Sequence, residues 1–468
     1  MNELTHLPIP LPGRFGSRSM GVKLIVVAGL ALLMSIPAFL VGNLTDERSK
    51  RASDVSDEIS NYAGGPQTFL GPTLSIPYVI PSSSASVAPE KGDYLVFPVQ
   101  GSAEITTTTT ERRRSLFKVP VFQASLHFNA SFDLRGIPSS APANMQLDWE
   151  HAVLLVGVKD ARGALADGTI SAQGKTDTLV PLEGVDGLSP DTSDSKHTEL
   201  TLFGVSISQL AKPGSQFQIA SDLRFSGAKR IAVLAFAKST TMQVHGDWPN
   251  PGFDGGFLPV NRTITPGGFN ATWSVPFMAR GVRADARGAF LSGLENTALG
   301  INFVELADPY QSVNRSLKYA LLFLGLVFLA YFIFEVTTGR RVHPAQYVLV
   351  GIAQVIFYLL LLSFAERTGF DYGFLVAGSA TVLLLSANAA WIFNSRLQGL
   401  RALVSFSLLY SLIYLLLRLE DNALLVGAVA SFLAIAAVMY FTRKIDWYSS
   451  LPAPGGAKTE STEPRDDA

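Results

Sequence analysis

Five apolar runs crowd the last third of the chain, at residues 319–336, 345–365, 372–393, 402–417 and 423–441, with only short polar breaks between them. A hydrocarbon core about 30 Å thick takes roughly 20 helical residues to cross, and the runs are of that order. Only helices and closed barrels satisfy every backbone group in lipid, and runs that are continuous rather than alternating exclude barrel strands. The lipid bilayer is therefore the first partner this sequence specifies.

The breaks orient the block. Arg340, Arg341, Arg396, Arg401, Arg443 and Lys444 fall in alternate breaks, against Arg367 and Arg418 in the others. Basic residues in short loops favour the cytoplasmic side, and acidic ones count for little. The first of the five helices is thus expected to enter from outside, and residues 442–468 to form a cytoplasmic tail.

Near the other end, Lys23 opens a further apolar run, with Pro37 inside it. It is longer than the apolar region of a secretory signal, and no clear small-x-small cleavage pattern follows, so it reads as an uncleaved anchor over 22–42. Residues 1–21 then form a cytoplasmic tail, which parity places on the same side as the other terminus. A polar connector helix is expected to continue out of the membrane from the anchor, over 43–64. Its apolar stripe, Val55, Ile59 and Tyr62, either docks on the next domain or rides on a solvated stalk, and Gly64, Gly65 and Pro66 end it.

From 65 to 306 the apolar period changes to two. Phe122, Ala124, Leu126, Phe128, Ala130, Phe132 and Leu134 alternate with Gln123, Ser125, His127, Asn129, Ser131 and Asp133, the signature of a strand with one buried face. Further strands are expected at 152–158, 217–225, 231–237 and 269–275, and loops at 82–88 and 184–196. Many strands with few helix signals make this a mainly-β, sandwich-like domain. The fold class is therefore a membrane protein of six transmembrane α-helices, one N-terminal and five C-terminal. A large β domain is inserted between helices 1 and 2, with residues 307–318 connecting it to the second helix.

A formal net charge of −1 over 468 residues makes no electrostatic case for nucleic acid. The absence of cysteine removes disulfides, thiolate catalysis and thiolate-held metal. No catalytic pattern replaces them. Gly168 and Gly174-Lys175-Thr176 are one residue too far apart for a phosphate loop. Of the histidines, His151 lies beside Asp148 and Glu150, and His245 beside Asp247; the two clusters make a metal or acid–base site only if the fold joins them. No metal or cofactor is expected, and the chain is read as a non-enzyme. The Arg112–Arg114 run suits a solvated hairpin edge or a contact with anionic headgroups. Inside the membrane, Glu335 is expected to pair with Arg340 or Arg341 at the rim, while Gln354 and Asn388 would favour a transporter if they lined one solvated cavity.

Several stretches resemble the CreD family of bacterial inner-membrane proteins, associated with cell envelope integrity. They are GGPQTFLGPTLSIPY at 64–78, ERRRSLFKVPVF at 111–122, PNPGFDGGFLPVNRTITPGGFNATW at 249–273, LKYALLFLGLVFLAYFIFEV at 317–336, RVHPAQYVLVG at 341–351 and TRKIDWY at 442–448. The resemblance runs over roughly 20–448. It implies an inner-membrane location, a periplasmic β domain and a place in an envelope stress response, and it supplies no catalytic residues. The expected role is a binding or scaffold module acting on an envelope component or protein partner, with a transporter-associated role as the alternative. The working surface is expected at Trp248, Phe253 and Phe257. Prolines and glycines around them argue a structured loop outside any strand ladder. If exposed, these aromatics form a binding surface; if buried, they cap the core.

Overall fold

The structure, a computed structural model, describes residues 20–82, 88–114, 117–139, 142–185, 188, 200–288, 293–303 and 309–418, with single positions between 425 and 443. It divides into a helical unit, Met1–Lys50 with Ala307–Ala468, and a β unit, Arg51–Leu306.

Among the described residues the α-helices are α1 (Met20–Tyr62), α2 (Phe277–Arg280), α3 (Pro309–Lys318), α4 (Ala320–Thr338), α5 (Pro344–Thr368), α6 (Phe370–Phe393) and α7 (Arg396–Arg418). Five of them, α1 and α4 to α7, are long and apolar enough to cross a membrane. The sixth expected span, 423–441, lies outside the described residues except for single positions. The anchor expected at 22–42 and the polar helix expected to continue from it over 43–64 are one continuous helix, α1. Nothing between Gly42 and Tyr62 stops a helix, and the chain breaks only where Gly64 and Gly65 take positive φ.

Within the helical unit, α1 buries Val27, Ala31, Met34, Ala38, Val41 and Thr45. Steps of four and three residues make a 3.5-residue seam, the spacing of helices that wrap one another. Asp46 at the end of this seam accepts a hydrogen bond from Asn314 of α3 at 2.7 Å. The segment 307–318, expected as a connector, is largely α3.

The β unit opens with β1 (Gln67–Ile80), β2 (Glu90–Val96), β3 (Gln100–Arg114), β4 (Phe117–Asp133), β5 (Gln146–Leu147) and β6 (Val153–Val158). It continues with β7 (Thr169–Ala172), β8 (Lys175–Thr178), β9 (Val180–Pro181), β10 (Thr201–Ser206), β11 (Gln216–Ala228) and β12 (Arg230–Leu234). The last six are β13 (Ser239–Gly246), β14 (Pro251–Gly255), β15 (Asn261–Thr265), β16 (Gly268–Val275), β17 (Asp285–Arg287) and β18 (Ala298–Phe303). The five stretches read as strands appear as β4, β6, β11, β12 and β16. The expected loops at 82–88 and 184–196 fall mostly outside the described residues.

These strands make two sheets. One is ten-stranded, with the path β14-β18-β12-β1-β6-β10-β9, where β2 and β5 add to β1 and β17 adds to β2. The other is eight-stranded, β15-β16-β13-β3-β4-β11-β7-β8. Two pairings are parallel, β1 with β12 and β3 with β13; every other strand pair is antiparallel. Burial alternates along β4, β11 and β13, with the apolar side turned inward. The inward faces of both sheets share one core. Phe69 of β1 meets Phe225 of β11 edge-on at 5.2 Å, and Phe122 of β4 stacks on Phe303 of β18 at 4.9 Å.

The last turns of α1 belong to the β unit. Ile59 and the following Ala63 pack on Val119, Val121 and Ala228, while Asp57 and Glu58 pair with Lys229 and Arg114. The apolar stripe therefore docks, through Ile59 rather than Tyr62, which is 85 % exposed.

Candidate functional site

The stretch around 248–257 is built differently from the expected loop. Pro251–Gly255 is β14, paired with β18 from Pro251 opposite Phe303 to Gly255 opposite Leu299. The correction has a simple cause: β14 is the outermost strand of its sheet, and an edge tolerates a proline that cannot donate. Its aromatics are half-buried and lie against the core. Phe253 meets Trp273 edge-on at 5.8 Å and Phe269 at 6.2 Å, and Trp248 meets Phe303 at 6.5 Å. The Trp273 indole N–H donates to the Phe257 carbonyl at 3.0 Å. Trp248, Phe253 and Phe257 thus pack half-buried against the core, and the exposed apolar side chains that follow them are Leu258 and Val260.

The glycines of the same motif follow from close approach. Asp254 lies opposite Gly300 and reaches Arg230 Nε at 2.9 Å and Asn302 Nδ2 at 2.9 Å. Burial pushes the Asp254 carboxyl up, but the hydrogen bonds from Arg230 and Asn302 outweigh it and hold the group below the usual carboxylate range. A Cβ on Gly300 would stand 1.9 Å from Asp254 Oδ1 and 2.7 Å from Arg230. One on Gly256 would stand 1.9 Å from the Asn296 carbonyl. Gly300→Ala is expected to expel the Asp254 side chain and loosen β14. The expected signature is faster amide exchange at 251–255 and a lower midpoint of β-unit unfolding; unchanged exchange there would refute the role given to this pair.

The two histidine clusters are not brought together. His151 sits in a short 3₁₀ turn before β6 and holds Asp148 at 2.8 Å. His245 sits on β13, in the other sheet, and bonds Asn270 at 2.7 Å. Asp247 turns away from His245 to accept the Thr109 N–H at 2.8 Å. Among the described residues no three of His, Asp and Glu are grouped for a metal. Arg112–Arg114 ends the β3–β4 hairpin, with Arg114 held by Glu58. Gly174-Lys175-Thr176 turns β7 into β8.

In the helical unit, Glu335 is a buried centre. Its expected partners Arg340 and Arg341 are exposed; its cation is Lys23 of α1. Glu335 Oε1 also accepts the Val342 N–H at 2.9 Å, and Oε2 accepts the Tyr347 O–H at 3.1 Å. Lys23 in turn donates to the Val342 carbonyl at 2.8 Å. The chain folds back after Gly339 and buries Val342 over the carboxylate, which closes the rim route to the arginines. The pair joins positions far apart in sequence, so local charge counting missed it. The only sequence clue is that Lys23 and Glu335 both lie at the ends of apolar runs. Asn388 lines a groove of about 330 Å³ between α5 and α6 and donates to the Tyr331 hydroxyl, while Gln354 is buried and does not line that groove.

Against known proteins, the family described as Inner membrane protein CreD matches residues 19–448, which takes in both units. The Inner membrane protein CreD of Escherichia coli (strain K12) is 30 % identical over 449 residues, covering 94 % of this chain and 97 % of that relative. Spans at both ends of a two-sheet β unit, and a match that runs through all of them, lead to one assignment: the chain belongs to the CreD family of inner membrane proteins.

Proposed function

We propose that this chain is a non-enzymatic, multi-pass inner-membrane protein that supports envelope integrity, and envelope stress response with it, through a sandwich-like β unit that binds or scaffolds an envelope component outside the cytoplasm. The observation that carries the reading is that Arg51–Leu306 holds a complete two-sheet core of its own between membrane-crossing helices. A unit of this kind is expected to behave as a domain in its own right. Both termini lie in the cytoplasm, with residues 423–441 as the sixth crossing. The basic breaks at Arg340–Arg341 and Arg396–Arg401 support that orientation. His151 sits in the turn before β6 and His245 on β13 of the other sheet, which supports a binding role over an acid–base site built from both.

Reporter fusions test the arrangement. A periplasm-dependent reporter joined after residue 300 should be active, and a cytoplasm-dependent one should be active after residue 342. The reverse pattern at either point overturns the topology. Envelope sensitivity of a strain lacking the protein should be corrected by the whole chain and not by a chain with 65–306 excised. Correction by the excised chain would move the function into the helices.

A further inference from the structure

Part of the solvent face of the eight-stranded sheet is unusual in what it lacks. Surface strands ordinarily carry charged side chains. Here one cross-strand row reads Ser239, Gln100, Ser131 and Gln218 over β13, β3, β4 and β11. The next reads Thr241, Ser102, Asn129, Ala220 and Ser171, reaching β7. Neither row holds a charge or an aromatic ring. Small side chains in the middle of the rows, with longer amides around them, leave a cavity of about 580 Å³ over the sheet. A second of about 390 Å³ adjoins it and shares Gln100, Ser131 and Gln218.

Of the charges bordering this area, Asp133 and Asp222 are engaged by neighbours, and Glu104 stands one row beyond the cradle. On one side Asp133 is bound by Arg135 at 2.6 Å and by Gln216 at 2.9 Å, and Arg135 holds its carboxyl far below the usual range. On the other, His127 bonds Asp222 at 2.7 Å. The cradle itself is largely uncommitted. Thr241 and Ser171 turn their hydroxyls toward the Gly101 carbonyl and Thr176. The side chains of Gln100, Ser102, Asn129, Ser131 and Gln218 make no hydrogen bond to the described residues.

We propose that this face is a binding site for a neutral glycan chain. A charged ligand would find no counter-charge in the cradle, and an apolar one would strip water from a row of hydroxyls and amides without replacing their hydrogen bonds. Serine and threonine hydroxyls both donate and accept, and each carboxamide offers two donors and an acceptor. That set matches the hydroxyl and acetamido groups of uncharged sugars. A peptide would match the amides but would find no apolar pockets for anchoring side chains. Three to four strand spacings, about 14–19 Å, carry the rows across the sheet, the reach of a short oligosaccharide rather than of one sugar. With no ring to stack on, affinity comes from hydrogen bonds alone and grows with chain length. The inference deepens the proposed binding role of the β unit, and rests on it for the location in which such chains would be met.

The test uses the full chain in detergent micelles, titrated calorimetrically with uncharged N-acetylglucosamine oligomers of one to six sugars. The hexamer should bind at least about tenfold more tightly than the monomer. N129A/Q218A should weaken hexamer binding about tenfold or more while leaving the unfolding temperature unchanged, since both side chains are exposed. E104Q, one row beyond the cradle, should bind as the parent does. Absence of saturable hexamer binding at millimolar concentration overturns the site, as does binding that N129A/Q218A leaves intact. An uncharged glycine–serine peptide that binds as tightly and is lost in the same variant overturns the glycan in favour of a peptide. Because the titration does not depend on which side of the membrane the β unit occupies, its failure is distinct from a failure of the reporter fusions.

Discussion

Lys23→Met lowers the stability of the helical unit by about 3–5 kcal/mol, the usual cost of leaving one member of a buried ion pair alone. Glu335 is 2 % exposed, and Lys23 is its cation. The Val342 N–H and the Tyr347 hydroxyl remain after the substitution, but neither carries a charge. Adding Glu335→Gln to Lys23→Met should recover most of the loss, because a glutamine carbonyl still accepts hydrogen bonds without a charge to bury. Thermal unfolding in detergent, followed by helical circular dichroism, compares the parent, the single and the double variant. A single variant as stable as the parent would refute the pair as a fastening of α1 to α4 and α5.

Trp273→Ala is expected to cost the β unit about 3–5 kcal/mol, in line with large-to-small aromatic truncation in a core. Trp273 is fully buried, touches Phe253 and donates to the Phe257 carbonyl, so its loss leaves both a void and an unpaired carbonyl. Chemical unfolding followed by the β signal should shift accordingly, and Trp273→Phe should retain more of the packing than Ala. Phe253→Ala, half-buried on the same ring, should cost less than Trp273→Ala. If Phe253→Ala instead left stability untouched and removed function, these aromatics would be a binding surface.

The spans and strands were legible because each rests on a period that local sequence displays. Continuous apolar runs gave α4 to α7, and strict alternation gave β4 with its inward Phe122, Phe128 and Phe132. Three things were not legible, each for a physical reason. The partner of Glu335 was missed because Lys23 lies 312 positions away in the chain, beyond the reach of local charge counting. The motif around Asp254 looked like a loop because proline and glycine are breakers in isolation, whereas on an outer strand they permit the approach of Asp254 to Arg230 across Gly300. The neutral face was spelled out in the residues between the apolar positions of β4, Ser131 and Asn129 among them. Its extent appeared only once register set β13, β3, β4 and β11 side by side.

The order of the strands also sets an order of events. β1 lies beside β12, with Gln67 opposite Ile231, and β3 lies beside β13, with Gln100 opposite Ser239. β14 reaches its sheet only through β18, which ends at Phe303, shortly before α3. A ribosome delivers β1 long before the strand that covers its parallel edge, and local pairing can make little beyond hairpins such as β3–β4 in the interval. Distant pairings of this kind slow folding and leave strand edges open while they wait. The sheets of the β unit are therefore expected to be completed late, when nearly all the chain ahead of α4 has been made. During that wait its long alternating strands depend on whatever shields nascent chains from one another.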